Sequence, residues 1–327
     1  MEDLFKQFSC LLEKSNKILI VSHRKPDADT LGAAIALKKF FDKKEKKTTL
    51  ACCDKPGKLF SFLPDVDLFV QEFDLKEFDL MIIVDAGASY MTNFHLKYDD
   101  FFSSGIPIVN IDHHASNDNF ADINIVDPTA PSATMLLFKI LKYLGVKIDQ
   151  DIATALLAGI YNDTGSFMHS NTTKEVFDVS SSLMASGAKI AEITKALFNT
   201  KTVSTLRLWG KVLEKVQVTE GNIAMSVLKD EEFESTGAGP ENLTGVIDYL
   251  NMIPDTKFSV LVNEDRKGNV KGSFRTRCKN MDLSRIAAVF GGGGHSKASG
   301  FMIPGKLTEE FKYKIIAADS PKKSLDF

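Results

Sequence analysis

Lys17-Ile-Leu-Ile-Val-Ser-His23-Arg-Lys-Pro-Asp27-Ala-Asp29 is the stretch on which the fold turns. Its opening run, Lys17 to Ser22, has an apolar core from Ile18 to Val21 without alternation, which suits a parallel strand covered on both faces. A helical period follows over residues 30–41, so the stretch reads as strand, polar turn, helix. His23, Asp27 and Asp29 then stand at the carboxyl end of the strand, where open α/β sheets bind their ligands. Asp27 and Asp29 are two apart, so an extended or turned backbone aims them at neighbouring but different points. A bland reading competes: one of the two Asp merely caps the helix.

The same arrangement recurs down the first half of the chain. Residues 79–84 end at Asp85, and residues 106–111 end at Asp112-His113-His114. A fourth acid, Asp163, lies in a turn-rich segment after a helical stretch over 151–161. Taken singly, Asp85 and Asp163 are ordinary turn and loop residues. Two adjacent imidazoles beside a carboxylate, by contrast, have little packing value. Adjacent side chains on a strand point different ways, so one His can ligate a metal while the other faces a substrate. Carboxylates with some imidazole suit manganese or magnesium, whereas thiolates would favour zinc or iron. Six potential ligands, one carboxylate bridging, would serve two metal ions, a recurrent solution for phosphoryl transfer.

The strands at 17–22, 48–53, 79–84 and 106–111 alternate with helices at 3–15, 30–41 and 132–144, the last opened by Pro131 and Ser132 and closed by Gly145. The expected fold class is therefore α/β, with an N-terminal, mostly parallel sheet carrying helices on both faces. Helical periods then fill 173–186, 190–198 and 202–216. From residue 216 the pattern changes: strands at 217–228, 256–263 and 270–277, a helix at 239–251 and a turn at 263–269. A smaller C-terminal α/β domain begins near residue 203, with the joint at 198–209. No internal repeat is visible.

The second domain has its own cluster. Gly291-Gly292-Gly293-Gly294-His295 precedes Ser296-Lys297. Consecutive glycines let backbone N–H groups converge on one anion, with help expected from a helix N-terminus and from His295 and Lys297. The competing reading is a flexible turn. The chain has six arginines, and Arg275 and Arg277 alternate on one strand near this loop. Arginine suits bidentate phosphate binding and base stacking, so the cluster reads as a phosphate or nucleotide site.

With 327 residues the chain has room for two cores. A formal net charge of -3 provides no overall basic field, so long nucleic acid is not expected as the main ligand. Neither a secretion-signal pattern nor a run of about 18–20 apolar residues is present, so no membrane partner is expected. Cys10, Cys52, Cys53 and Cys278 have no zinc or disulfide spacing and read as free thiols of a cytoplasmic protein.

Together these residues resemble the DHH phosphoesterase family. Asp112-His113-His114 matches its name triplet; His23-x-x-Pro-Asp27-x-Asp29, Asp85 and Asp163-Thr-Gly match the other motifs in order. Gly291-Gly-Gly-Gly-His295-x-x-Ala-Ser-Gly300 is similar to the signature of the DHH-associated C-terminal domain. The layout is similar to the nano-RNase and 3′-phosphoadenosine-5′-phosphate phosphatase branch. The resemblance implies a metal-binding phosphoesterase domain at 1–200, a substrate-binding domain at 203–327, and an active site in the cleft between them. It implies two divalent ions, manganese by preference. His23, Asp27 and Asp85 would hold one; Asp29, Asp85, His113 and Asp163 would hold the other, with Asp85 shared. His114 would face the scissile phosphate. Arg275, Gly292, Gly293, Gly294 and His295 would anchor a second phosphate or base. The implied substrates are short RNA or a small nucleotide, with cyclic di-AMP or its linear product pApA as the rival and a non-catalytic nucleotide-binding regulator as the alternative of another class. A homodimer is compatible with this layout.

Overall fold

The computed structural model describes residues 1–198, 201–310, 314–315 and 323–324. It divides into two compact units, Met1–Thr200 and Lys201–Phe327. The joint expected at 198–209 includes residues 199–200, which lie outside the described residues. Among the described residues, no helix is long and apolar enough to cross a membrane.

The first unit is built on a five-stranded parallel sheet in the order β2-β1-β3-β4-β5. The strands are β1 (Lys17–Ser22), β2 (Lys47–Ala51), β3 (Leu80–Val84), β4 (Ile108–Asp112) and β5 (Ile123–Val126). β5 was not foreseen; it is a four-residue edge strand interrupted by Asn124, too short to show a period. The apolar run of β1 is explained by its two faces. Ile18 and Ile20 enter one core with α1 (Glu2–Lys14), α2 (Ala28–Asp42), α3 (Ala133–Tyr143), α4 (Gln150–Asp163), α5 (Lys174–Ala185) and α6 (Ile190–Phe198). Leu19 and Val21 enter the other, closed by aromatic loops and short 3-10 turns carrying Phe94, Phe101 and Phe73. Helical cover is thus present on both faces but unequal, with the described α-helices all on one.

This strand order reverses direction between β1 and β3, since β2 lies to one side and β4 to the other. Such a switch point opens a crevice at the carboxyl ends. His23 follows β1, Asp85 follows β3, and Asp112-His113-His114 closes β4. α2 begins earlier than its hydrophobic period suggests: Asp27 is its N-cap, with Oδ1 accepting from the backbone N–H groups of Asp29 (2.9 Å) and Thr30 (3.1 Å). Asp29 therefore sits in the first helical turn rather than in the preceding loop. A methyl at Gly32 would lie 2.3 Å from the Ala155 carbonyl, so α2 and α4 approach closely there.

The second unit holds a six-stranded mixed sheet, β10-β11-β9-β8-β7-β6. Its elements are α7 (Val203–Glu214), β6 (Gln217–Val218), β7 (Ile223–Leu228), α8 (Asp230–Thr236), α9 (Val246–Leu250), β8 (Phe258–Glu264), β9 (Asn269–Arg275), α10 (Leu283–Val289), β10 (Gly293–His295) and β11 (Ala298–Pro304). The strand expected at 217–228 is a hairpin instead, because Asn222 takes the left-handed conformation at its turn. The helix expected at 239–251 is interrupted at Gly245, whose φ of 95° breaks the helical path. α8 was unforeseen; it is short and acidic, stopped by Gly237 at φ 66°.

Candidate metal centre

The six candidate ligands from four distant segments converge. His23 Nε2 lies 3.3 Å from Asp85 Oδ2 and 3.9 Å from Asp27 Oδ1. His113 Nε2 lies 3.4 Å from Asp85 Oδ1, 3.3 Å from Asp163 Oδ2 and 3.9 Å from Asp29 Oδ2. Two metal-compatible triads result, His23–Asp27–Asp85 and Asp29–His113–Asp163, with Asp85 reaching toward both. The cap and ligand readings of Asp27 are compatible, since its carboxylate caps α2 and remains beside His23.

Asp85 occupies the left-handed region at φ 56°, which Asp tolerates better than most residues, while its N–H still bonds the Ile111 carbonyl (2.9 Å). That bend turns the carboxylate back over the sheet end. Its Oδ1 is buried and meets no hydrogen bond of good geometry, with only the imidazole nitrogens of His113 (3.4 Å) and His114 (3.7 Å) beside it, a position that suits a cation. Oxygen and imidazole donors, with no thiolate among them, match a hard divalent cation. The residues therefore fit metal ions.

The electrostatics point the same way. Burial disfavours charge on His23, but the hydrogen bond and charge of Asp85 outweigh it and lift its pKa to about 9. Burial likewise opposes the His113 cation, which Asp85, Asp29 and Asp163 lift to about 10. Burial, reinforced by the Asp85 charge, pushes Asp29 up to about 7. Asp163 is raised by burial and by the charges of Asp29 and Asp85. Asp85 moves the other way: burial alone would raise it, but His113 and His23 hold it below the usual carboxylate range. Without cations the cluster gathers protons, and cations must displace them. Binding of Mn2+ at neutral pH is expected to release about two protons or more, since His23 and His113 are both protonated there and Asp29 partly so, and affinity should rise with pH through the range of these raised pKa values. Calorimetry in buffers of different ionisation enthalpy measures this release; a binding enthalpy independent of buffer would contradict it.

His114 stands beside these triads, its Nδ1 3.7 Å from Asp85 Oδ1, but its closest partner is a further carboxylate. Asp112 is fully buried, its Oδ1 2.7 Å from His114 Nδ1 and its Oδ2 accepting from Asn117 Nδ2 at 2.6 Å. An ionised carboxylate can only accept, so Nδ1 carries the proton and the ring's tautomer is set. Asn117 Nδ2 also donates to the Ala86 carbonyl at 3.2 Å. Asp85, Asp112, His113 and His114 also lie close enough to form a third metal-compatible group. Both Asp112 oxygens are committed to hydrogen bonds, however, which makes Asp112 a positioning residue for His114. Gly87 gives the ring its place, since a methyl there would sit 3.1 Å from His114 Cβ. The sequence reading missed the parts played by Asp112 and Asn117; spacing alone carries no signal for a contact made by a loop folding back.

His169 packs against the turn that follows Asp163. Its Nδ1 lies 3.2 Å from the Asp163 carbonyl, and the ring covers Gly165. The turn there, Gly165 to Phe167, has three successive left-handed residues, φ 55°, 60° and 66°. It reverses the chain directly behind Asp163.

In the second unit, register explains what sequence separation hides. Ala298 pairs with His295 on one side and with Arg275 on the other. Directly opposed residues share a face, so Arg275 and His295 face the same way two strands apart, roughly 10 Å by strand spacing. Arg275 is half-buried, with Nε 3.6 Å from Asp248 Oδ1. Arg277 lies beyond the strand and donates from Nη2 to the Ile253 carbonyl at 3.4 Å. Two expectations fail here. The glycine run leaves the C-terminal end of α10 and enters strand β10, so no helix N-terminus adds its dipole. Lys297 Nζ donates to the carbonyls of Cys278 (2.6 Å), Lys279 (2.7 Å) and Met281 (2.9 Å), so its three protons secure a loop rather than an anion. Two glycines have structural reasons: methyls at Gly292 and Gly294 would lie 2.2 Å and 2.8 Å from carbonyls of β11.

Comparison with known proteins places the architecture. The DHH family, N-terminal domain, matches residues 17–160, and the DHHA1 domain matches residues 220–318. The bifunctional oligoribonuclease and PAP phosphatase NrnA of Thermus thermophilus is 27% identical over 301 residues, covering 92% of this chain and 88% of that protein. The cyclic-di-AMP phosphodiesterase GdpP of Geobacillus thermodenitrificans is 29% identical over 304 residues, 87% of this chain but 44% of that protein. Among solved structures, an exopolyphosphatase-related protein from Bacteroides fragilis superposes with a TM-score of 0.86 at 26% identity, covering 94% of this chain and 93% of that one.

Proposed function

We propose, given that this chain is a hydrolytic phosphodiesterase carrying a DHH family N-terminal domain and a DHHA1 domain, that it hydrolyses short oligoribonucleotides to 5′-mononucleotides and 3′-phosphoadenosine-5′-phosphate to AMP. The observation that carries this reading is the end-to-end likeness to the Thermus enzyme, whose name states both activities, over 92% of this chain and 88% of that one.

His23, Asp27 and Asp85 would hold one divalent ion, and Asp29, Asp85, His113 and Asp163 the other, with Mn2+ the preferred species for such donors. Bound ions of this kind supply Lewis acidity and neutralise charge on the oxygens that attack and leave phosphorus in line. The chain's own groups would do the rest. His114, oriented by Asp112, would face the scissile phosphate and either donate a hydrogen bond to its oxygens or pass a proton to the departing sugar 3′-oxygen. Arg275, His295 and the N–H groups of the Gly292–Gly294 stretch would hold a second phosphate or base. A substrate gripped at its end in this way is short, which accords with the net charge of -3.

The likeness to a cyclic-di-AMP phosphodiesterase supports a second reading, that cyclic di-AMP or pApA is hydrolysed by the same groups. Turnover of pApA, a trinucleotide RNA, 3′-phosphoadenosine-5′-phosphate and cyclic di-AMP, each with Mn2+ and then with chelator, separates the two. Cyclic di-AMP as the fastest substrate would overturn the first reading. Absence of turnover on all four with Mn2+ would favour a nucleotide-binding regulator, against which the convergence of all six ligands counts.

Arg275→Ala is expected to raise KM for a dinucleotide by about tenfold or more, the loss of one charged hydrogen-bonded contact. A small generic phosphodiester should be little affected. Parallel losses on both substrates would indicate that Arg275, through Asp248, supports the sheet instead.

A further inference from the structure

Asp29 is the one candidate ligand with no exposed surface, and its carboxylate is held by a segment more than a hundred residues away. Oδ2 accepts from the Ala133 N–H at 2.6 Å; Oδ1 accepts from the Thr134 N–H at 3.0 Å and from Thr134 Oγ1 at 2.5 Å. These donors form the first turn of α3, whose N-cap Ser132 accepts from the Met135 N–H at 3.0 Å. Ser132 Oγ also lies 3.0 Å from Thr134 Oγ1. A hydroxyl has one proton, and Thr134 gives its own to Asp29, so Ser132 is the donor between the two. The order is then Met135 N–H to Ser132, Ser132 to Thr134, Thr134 to Asp29, each bond polarising the next.

The α4 helix leaves room for this contact. A methyl at Gly159 would stand 2.3 Å from Asp29 Oδ1 and 2.4 Å from Thr134 Oγ1. The bare backbone of Gly159 is therefore the wall of a cradle that fits a carboxylate and a hydroxyl together. With Oδ1 taken twice, Asp29 presents Oδ2 toward His113.

We propose that Thr134 is a positioning residue of the metal centre: its hydroxyl, in the space left by Gly159, locks the Asp29 carboxylate so that only Oδ2 is offered to a cation. The inference rests on the metal-centre reading given above. Outer hydrogen bonds of this kind typically account for 10- to 100-fold in metal affinity.

The test uses the full chain stripped of metal and titrated with Mn2+ alone, free Mn2+ being followed by electron paramagnetic resonance. Thr134→Val keeps the shape and removes the hydroxyl; Thr134→Ser keeps the hydroxyl. Thr134→Ala is run beside them so that a folded, hydroxyl-free protein is in hand, with melting in chelator as the check on folding. Thr134→Val and Thr134→Ala should weaken one class of Mn2+ site about tenfold or more, while Thr134→Ser stays within about twofold of the parent. Unchanged Mn2+ affinity in the hydroxyl-free variants overturns the role of Thr134 alone. Equal weakening in Thr134→Ser overturns it as well, by making packing the determinant. A parent chain that binds no Mn2+ overturns the metal centre itself, and this inference with it.

Discussion

Asp85→Ala is expected to remove turnover, with a loss beyond the 10²–10³-fold that one electrostatic contact typically contributes. The size of the effect comes from its position. Asp85 follows β3 at the switch point of the sheet, between His23 on one side and His113 on the other, at 3.3 Å and 3.4 Å. Its removal takes a donor from both candidate ion positions at once, so Mn2+ stoichiometry should fall together with activity. A second consequence is visible without activity. His23 and His113 owe their raised pKa values of about 9 and about 10 in large part to Asp85, so in the variant both imidazoles should titrate markedly lower. Alanine is strained at φ 56°, so Asp85→Asn, which tolerates that conformation and removes only the charge, is the better-controlled partner. Near-normal Mn2+-dependent activity in either folded variant would refute the shared carboxylate.

His114→Ala should lower kcat by about 10²–10⁴-fold, the usual contribution of a positioned acid or base, while Mn2+ affinity stays close to that of the parent. Asp112→Asn should lie between, roughly 10- to 100-fold down. The reason is a count of acceptors. The Asp112 carboxylate accepts from His114 and Asn117 at once, whereas an amide has a single acceptor oxygen and would leave one donor facing its own N–H groups. The ring would then be free to turn. A large loss of Mn2+ affinity in His114→Ala would instead make His114 a ligand, in line with the third cluster that joins it to Asp85 and His113.

Much of this centre is legible in the primary structure, and for a definite reason. Three of the four ligand-bearing motifs follow a mainly apolar run, and a parallel strand covered on both faces can end only where its backbone leaves the core. His23, Asp85 and the Asp112-His113-His114 triplet are therefore placed at one edge of a sheet by local sequence alone. Asp163 was less secure, because it ends helix α4 rather than a strand, and a helix end can point anywhere until its packing is known. Expectations for the second unit suffered more. A helix N-terminus is expected beside the glycines, but α10 ends before them and β10 begins only at Gly293, an edge strand of three residues with no period to read.

The amino-acid sequence by itself determined the class of the fold, the chemistry of the donors and their collection at the carboxyl edge of one sheet, because apolar runs and their polar ends are local properties. Tertiary structure decided which donors are shared, which are restrained and which are spent: Asp85 between two imidazoles, Asp29 against Thr134 and Gly159, Asp112 between His114 and Asn117, Lys297 on three carbonyls. Those choices depend on strand order, register and the closeness of helix packing, and a contact between Asp29 and Thr134 leaves no trace in the spacing of either neighbourhood.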